Sequence, residues 1–411
     1  MPNDVPAPQP ESQPRRPLGG LRVLELGSLI AGPYAARLLA EYGAEVIKIE
    51  PPEGGDPLRL WRMVHEGTSL WWYAQARNKR SITLDLRHPK GQELARRLAA
   101  RADVLVENFR PGTLERWGLG WEELHALNPR LVMVRISGYG QTGPSRDKPG
   151  FASIAESIAG LRYITGYPEL PPVRVGVSIG DSIAGLFAVI GALTAVFNRD
   201  NGGTGEGQLV DVALYEAVFA LMESMLSEYD FAGVVRERAG AAMPGITPSN
   251  TYPCADGKHV IIGGNSDSIF KRLMEAIGHS EVAADPHYAD NTGRSAEAAY
   301  LDGLIAAWSS QHPLEECTRV LEAAGVPVGP IYSVADIVAD PQYAARDMIE
   351  EVEAPGIGVL KIPGIVPKFS ATPTATEWIG PPLGAHNEEV YKGILGLPDA
   401  EYDALRADGV I

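Results

Sequence analysis

Gly20-Leu-Arg-Val-Leu-Glu-Leu26, Ala31 to Tyr42 and Ala44-Glu-Val-Ile-Lys-Ile-Glu50 form the stretch that decides the fold. The first piece is a short apolar run of strand length. The second carries apolar residues at helical spacing and meets a stop signal at Gly43. The third reads as a strand again, halted by Pro51 and Pro52. Strand, helix and strand in that order make a βαβ unit. The alternation continues outwards through a strand from Ser81, a helix from Lys90 to Ala102, a strand at Val104–Glu107, a helix at Trp121–Leu127 and a strand from Leu131. Such alternation predicts a doubly wound parallel sheet with both faces covered, an α/β fold whose ligands lie beyond the carboxyl ends of the strands.

The pattern runs to about Phe197. A glycine-rich break at Asn198–Gly207 precedes a strand at Gln208–Ala213 and an apolar helix from Tyr215 to about Tyr229. We expect a large domain over 17–225 and a smaller α+β domain over 226–340. The latter opens on the Pro/Gly-rich Met243 to Tyr252 and holds a strand pair about Asp256-Gly257. Residues 341–411, with strands around Gly356 and a closing helix, are expected to return to the large domain. Residues 1–16 are rich in Pro, Gln and Glu and read as a disordered tail, not a signal peptide.

Composition narrows the function. With 45% hydrophobic and 21% charged residues among 411, the chain has material for a sizeable core. A net charge of -16 argues against a nucleic-acid partner, which needs a basic face. The longest apolar run, after Asp181, contains Gly185 and Gly191 and is shorter than a span normally requires, so no membrane is expected and the run reads as a buried core helix. Two cysteines cannot build a disulfide framework or a thiolate metal site and fit a reducing cytoplasm. The eight histidines are scattered without metal-ligand spacing, so no metal site is predicted. There is no Walker loop and no Gly-x-Ser-x-Gly elbow.

Six segments carry candidate chemistry. Val175-Gly-Val-Ser-Ile-Gly180-Asp181 places a carboxylate at the mouth of the long apolar helix, where first-turn N–H groups and the helix dipole favour its ionised form. That suits a carboxylate nucleophile, and equally a helix N-cap. Leu24 to Pro33 looks like a strand, glycine turn and helix, but it lacks the three-glycine dinucleotide fingerprint. Arg77, Lys79, Arg80, Arg87 and Arg110 recur near strand ends, either as a phosphate pocket or as a solvated surface. Asn108-Phe109-Arg110 offers an aromatic and a cation where an adenine could stack. The glycine-rich Gly138 to Pro144 presents Tyr139 and Gln141, and Gly263-Gly264-Asn265 is either a lid or a turn.

In order and number these segments resemble the family III CoA-transferases (CaiB/BaiF, the formyl-CoA and carnitine CoA-transferase type). The matching pieces are Leu26 to Pro33, Gly43 to Glu50, Asn78-Lys-Arg-Ser81, Glu107 to Gly112, Gly138 to Pro144, Gly180-Asp181, Gly205-Glu-Gly-Gln208, Gly325 to Pro330 and Pro382-Leu-Gly384. The resemblance runs from about Gly20 to the C-terminus. It implies a two-domain subunit and an interlocked, ring-like homodimer. It also implies transfer of CoA from an acyl-CoA to a small carboxylic acid, with coenzyme A entering as substrate and no permanently bound cofactor. By resemblance Asp181 is the nucleophile, passing through aspartyl anhydride and aspartyl-CoA thioester intermediates. CoA would lie along Leu29, Ile30, Leu84, Arg87, Asn108, Phe109, Arg116 and Tyr139, with Gly263, Gly264 and Asn265 as a lid excluding water.

Two departures from the family pattern stand out. Pro51 and Ser137 replace basic residues that hold CoA phosphates in the formyl-CoA branch. Phe151 occupies the position where acyl-CoA racemases of the same fold carry a histidine, which speaks against the racemase alternative. The remaining alternative is a non-catalytic CoA-binding member. Pro244 to Tyr252 looks most like the branch that uses succinyl-CoA with a dicarboxylic acid, and Ser249, Asn250, Gln141 and a nearby arginine are the expected substrate contacts.

Overall fold

The computed structural model describes residues 16–411 and divides into two compact units. The first comprises residues up to Leu161, Val175–Ser224 and Asp347–Ile411; the second comprises Arg162–Arg174 and Met225–Arg346. Three expected boundaries shift: 162–174 leaves the 17–225 stretch for the second unit, and that unit resumes at Met225 instead of 226 and ends at Arg346 instead of 340. Apart from Arg16, the expected tail lies outside the described residues.

The first unit is built on a six-stranded sheet of β1 (Arg22–Glu25), β2 (Glu45–Glu50), β3 (Lys79–Thr83), β4 (Val104–Glu107), β5 (Val132–Ser137) and β6 (Leu209–Ala213). Every pairing is parallel and the order is β3-β2-β1-β4-β5-β6. The direction of winding reverses between β1 and β4, and such a switch point leaves a crevice at the strands' carboxyl ends. Alternate side chains serve opposite faces. Val23, Val46, Val104 and Val134 meet helix α1 (Ala31–Glu41), while Leu24, Ile47, Leu105 and Met133 meet α2 (Pro89–Ala99) and the C-terminal helix Asp399–Ala407. Full burial of both faces explains why these strands read as continuous apolar runs.

Helix α3 (Ile179–Asp200) lies with α1 on the first face. It is 22 residues long and apolar enough to cross a membrane, longer than the sequence suggested. The expectation that it would be buried all round is also corrected. Ile183, Ala184, Ala188, Val189, Ala192 and Ala195 join the core, whereas Leu186, Ile190 and Phe197 are exposed at 46%, 58% and 67%. The apolar segment expected from Tyr215 to Tyr229 is two helices, Leu214–Phe219 and Met225–Ala232, broken where Glu223 takes a positive φ.

The second unit holds a three-stranded antiparallel sheet of β7 (Ser249–Pro253), β8 (His259–Gly263) and β9 (Val328–Pro330), with β8 central. Helices α4 (Asp267–Ala276), α5 (Ala298–Ser309) and α6 (Leu314–Ala323) cover it around Val260, Ile262, Leu273, Leu301 and Leu321. Cys254 and Cys317 are both buried in this core.

Candidate active site

The crevice at the switch point is a cavity of about 500 Å³ within the first unit. Leu26, Gly27 and Ser28 after β1, Pro51, Pro52, Glu53 and Gly55 to Pro57 after β2, Leu84 to Arg87 after β3, and Phe109 and Trp117 after β4 line it. Its position follows from the parallel winding, which brings four loops to one edge. The Phe109 ring stands edge-on to Trp117 at 5.4 Å, giving an aromatic wall. Arg87 is an exposed cation at the rim, with its backbone N–H on Asp85 at 2.9 Å.

Asn108 sits across the switch point. Its Oδ1 accepts from Ser28 N at 2.8 Å and its Nδ2 donates to Ser28 O at 2.9 Å, so its amide locks the β1 and β4 loops together. Gly27 and Gly32 are required here: a Cβ at Gly27 would meet Asn108 Oδ1 at 3.0 Å and Gly32 Cα at 3.2 Å. Leu29 adopts φ 65°, and the buried Ile30 directly precedes α1.

Asp181 lies in the same unit, third in α3 and half-buried; Ser178, not Asp181, occupies the N-cap position. The helix-cap alternative is thereby set aside. One turn further on, Gly185 closes on α1. A Cβ there would meet Tyr34 Cδ1 at 2.8 Å and Ala31 O at 3.2 Å. Asp181 is therefore about 6 Å along the helix from the contact with the first residue of α1, directly after the loop that borders the cavity. It is not itself among the cavity-lining residues. Gly180 is buried against Glu156, whose carboxylate accepts from Gly180 N at 3.4 Å.

Beneath the loop lies a charged network the sequence reading missed. Lys48 Nζ is 2.8 Å from Glu25 Oε1 and 2.8 Å from Asp56 Oδ2, and Lys79 Nζ is 2.8 Å from Glu25 Oε2 and 2.7 Å from Pro33 O. All four side chains are buried. Burial alone would raise the Asp56 carboxyl, but Lys48 beside it and the N–H groups of Leu58 and Leu29 hold it below its ordinary 3.8. Burial pushes the Lys79 ammonium down to about 8, against the pull of Glu25. At the end of β4, burial pushes the Glu107 carboxyl up to about 7, although Arg135 and the Phe109 N–H favour its charge. Lys48 was the one available signal, an isolated cation inside an apolar strand. Alternation alone assigns such a residue to solvent.

The phosphate-pocket reading of the basic set is corrected for most of its members. Arg77 is buried against Glu41 at 2.8 Å, Lys79 belongs to the network, and Arg80 pairs with Glu389 at 2.7 Å. Of that set only Arg87 lines the cavity. Of the other expected CoA contacts, Leu84 and Phe109 line it too. Arg116 is exposed and donates to Thr113 Oγ1 at 3.1 Å, and Tyr139 packs near the Tyr215 ring at 6.2 Å. Gln141 N donates to Asp211 Oδ2 at 2.8 Å.

The remaining expected residues belong to the second unit. Gly263 closes β8 opposite Ser249, and Gly264 packs so tightly that a Cβ would lie 2.5 Å from Leu273 Cδ2. Asn265 O accepts from the buried Arg294 at 3.0 Å. Asn250 donates its amide to Asp302 at 2.9 Å, an internal bond that occupies a group expected to face substrate. Arg294, the arginine near this loop, is likewise engaged with Thr247 O, Tyr288 O and Asp267.

Comparison with known proteins agrees with this architecture. The chain is 51% identical over 400 residues to a succinyl-CoA–D-citramalate CoA-transferase of Chloroflexus aurantiacus, covering 97% of this chain and 99% of that protein. It is 42% identical over 415 residues to the alpha subunit of a succinyl-CoA–L-malate CoA-transferase of the same organism, covering 99% and 96%. The crystal structure of a CaiB/BaiF family protein from Brucella suis superimposes with a TM-score of 0.81 at 35% identity, over 93% of this chain and all of that one. The model of CoA-transferase family III matches residues 18–387, and the chain belongs to that family.

Proposed function

We propose that the protein transfers CoA from succinyl-CoA to a small dicarboxylic acid, with Asp181 as the covalent carrier. The observation that carries this reading is Asp181 on the first turn of α3, about 6 Å along the helix from the point where Gly185 packs on Ala31, the residue that follows the loop bordering a 500 Å³ cavity. The relatives named for citramalate and malate support the choice of donor and of acceptor class.

The chemistry suits a carboxylate at a helix start. The Asp181 carboxylate attacks the thioester carbonyl and the CoA thiolate leaves, giving a mixed anhydride. The thiolate then attacks the aspartyl carbonyl, releasing succinate and leaving an aspartyl-CoA thioester. The acceptor carboxylate attacks that carbonyl, expelling the thiolate, which takes the acceptor's acyl group from the new anhydride and frees Asp181. Each step conserves the acyl activation. Each intermediate is open to hydrolysis, so water must be kept out. The exposed apolar face of α3 supports the further proposal that a second copy of the chain covers it.

The test is mass spectrometry of enzyme exposed to succinyl-CoA and trapped with hydroxylamine or borohydride, with Asp181→Ala as control. We expect modification at Asp181 and none in the variant. An unmodified Asp181 under turnover overturns the covalent route. A coupled assay across acceptors tests the class: turnover of monocarboxylic acids alone would remove the dicarboxylate assignment.

A further inference from the structure

The loop between β1 and α1 is gripped at successive residues by side chains from elsewhere in the unit. Lys48 Nζ donates to Gly27 O at 2.9 Å, Asn108 holds both backbone groups of Ser28, Asp56 Oδ1 accepts from Leu29 N at 3.0 Å, and Gln75 Nε2 reaches Ile30 O at 3.4 Å. The conformation held in this way is strained. Leu29 sits at φ 65°, in the left-handed region that a side chain with a Cβ disfavours. Such strain persists only where the surroundings over-determine it.

Asp56 makes the hold at the strained residue itself. The same Oδ1 also accepts from Leu58 N at 2.9 Å, while Oδ2 takes Lys48 at 2.8 Å and its own N–H donates to Glu50 at 2.9 Å. Lys48 borders the cavity yet is no phosphate ligand, because Glu25, Gly27 O and Asp56 engage its three donors. A buried ion pair brings little net stability over apolar packing. What this one does locally is fix one N–H in one place.

We propose that Asp56, braced by Lys48, is a positioning residue for acyl transfer: it holds Leu29 left-handed and so sets the wall that the loop presents to acyl-CoA. This rests on the transfer reading above. The experiment separates the two by combining kinetics with backbone hydrogen exchange in the ligand-free, full-length protein. The variants are Asp56→Asn, Leu29→Gly and the double substitution. Asp56→Asn speeds exchange across the Gly27–Ala31 segment and raises KM for succinyl-CoA about tenfold, with a smaller change in kcat. In the Leu29→Gly background the same substitution costs less than about threefold, because glycine adopts positive φ without support.

Equal losses in both backgrounds overturn the proposal, as does unchanged exchange in Asp56→Asn, whatever the activity. If Asp56→Asn folds only in the Leu29→Gly background, the coupling is demonstrated directly; failure to fold in both backgrounds overturns it. A wild-type enzyme whose loop is protected by Asp56 but which transfers no CoA sinks the functional reading alone.

Discussion

Arg87 brings an exposed cation, and Phe109 with Trp117 an aromatic wall, to a cavity whose other cation, Lys48, is already engaged by carboxylates. Arg87→Ala should raise KM for the acyl-CoA about tenfold, or about 1.4 kcal/mol, and leave kcat near wild type, because a phosphate contact far from the reacting carbonyl is uniform binding. Steady-state kinetics with varied succinyl-CoA checks it, and an unchanged KM would move the phosphates elsewhere. Residue type and spacing group Arg87 with Arg77, Lys79, Arg80 and Arg110, and only the family resemblance sets it apart as a CoA contact. The difference lies in partners distant along the chain: Glu41, Glu25 and Glu389 neutralise Arg77, Lys79 and Arg80.

At the scale of elements, two contacts hold the site. Gly185 lets α3 approach α1, and Gly185→Ala would drive a methyl to 2.8 Å from Tyr34 and 3.2 Å from the Ala31 carbonyl. Because one of those neighbours is backbone, the helices must part. We expect a loss of about 2 kcal/mol in chemical denaturation, with a larger proportional loss in kcat than in KM as Asp181 shifts. The Asp56–Lys48 pair is the other contact. Asp56→Asn should destabilise by about 3 kcal/mol at pH 7 by weakening a buried pair. A carboxyl depressed in the folded chain stabilises above its unfolded value and stops doing so as the pH falls through its folded one. The gap between wild type and variant should therefore be full at neutral pH and close as the pH drops below 3.8, as urea titrations across that range would reveal. The βαβ rhythm was legible because periodicity is local. The break at Glu223 was not, since nothing near Tyr215 in the chain announces it, whereas the end of α3 at Asp200 falls within the glycine-rich Asn198–Gly207.

For the whole molecule, the outward face of α3 bears on assembly. Leu186, Ile190 and Phe197 are exposed, and Ile154, Ile158 and Phe219 on the helices packed against α3 are exposed with them. Exposed apolar residues on neighbouring helices support the proposed self-association. If a second copy covers it, the wild type sediments as a dimer and Ile190→Asp shifts it to monomer at micromolar concentration. A wild type that is monomeric throughout sends the search for the occupant elsewhere, and the length and hydropathy of α3 make a lipid surface the first alternative.

The sequence by itself determined the parallel α/β layout and the membership in CoA-transferase family III, because strand alternation and ordered motifs survive in one dimension. Only the tertiary structure decided which cations are available and which are neutralised, that Asn108 and Asp56 hold a loop, and that α3 keeps one apolar side outward. The physical reason is common to all three. Pairing energies depend on distance and burial, and those are set by residues tens to hundreds of positions apart.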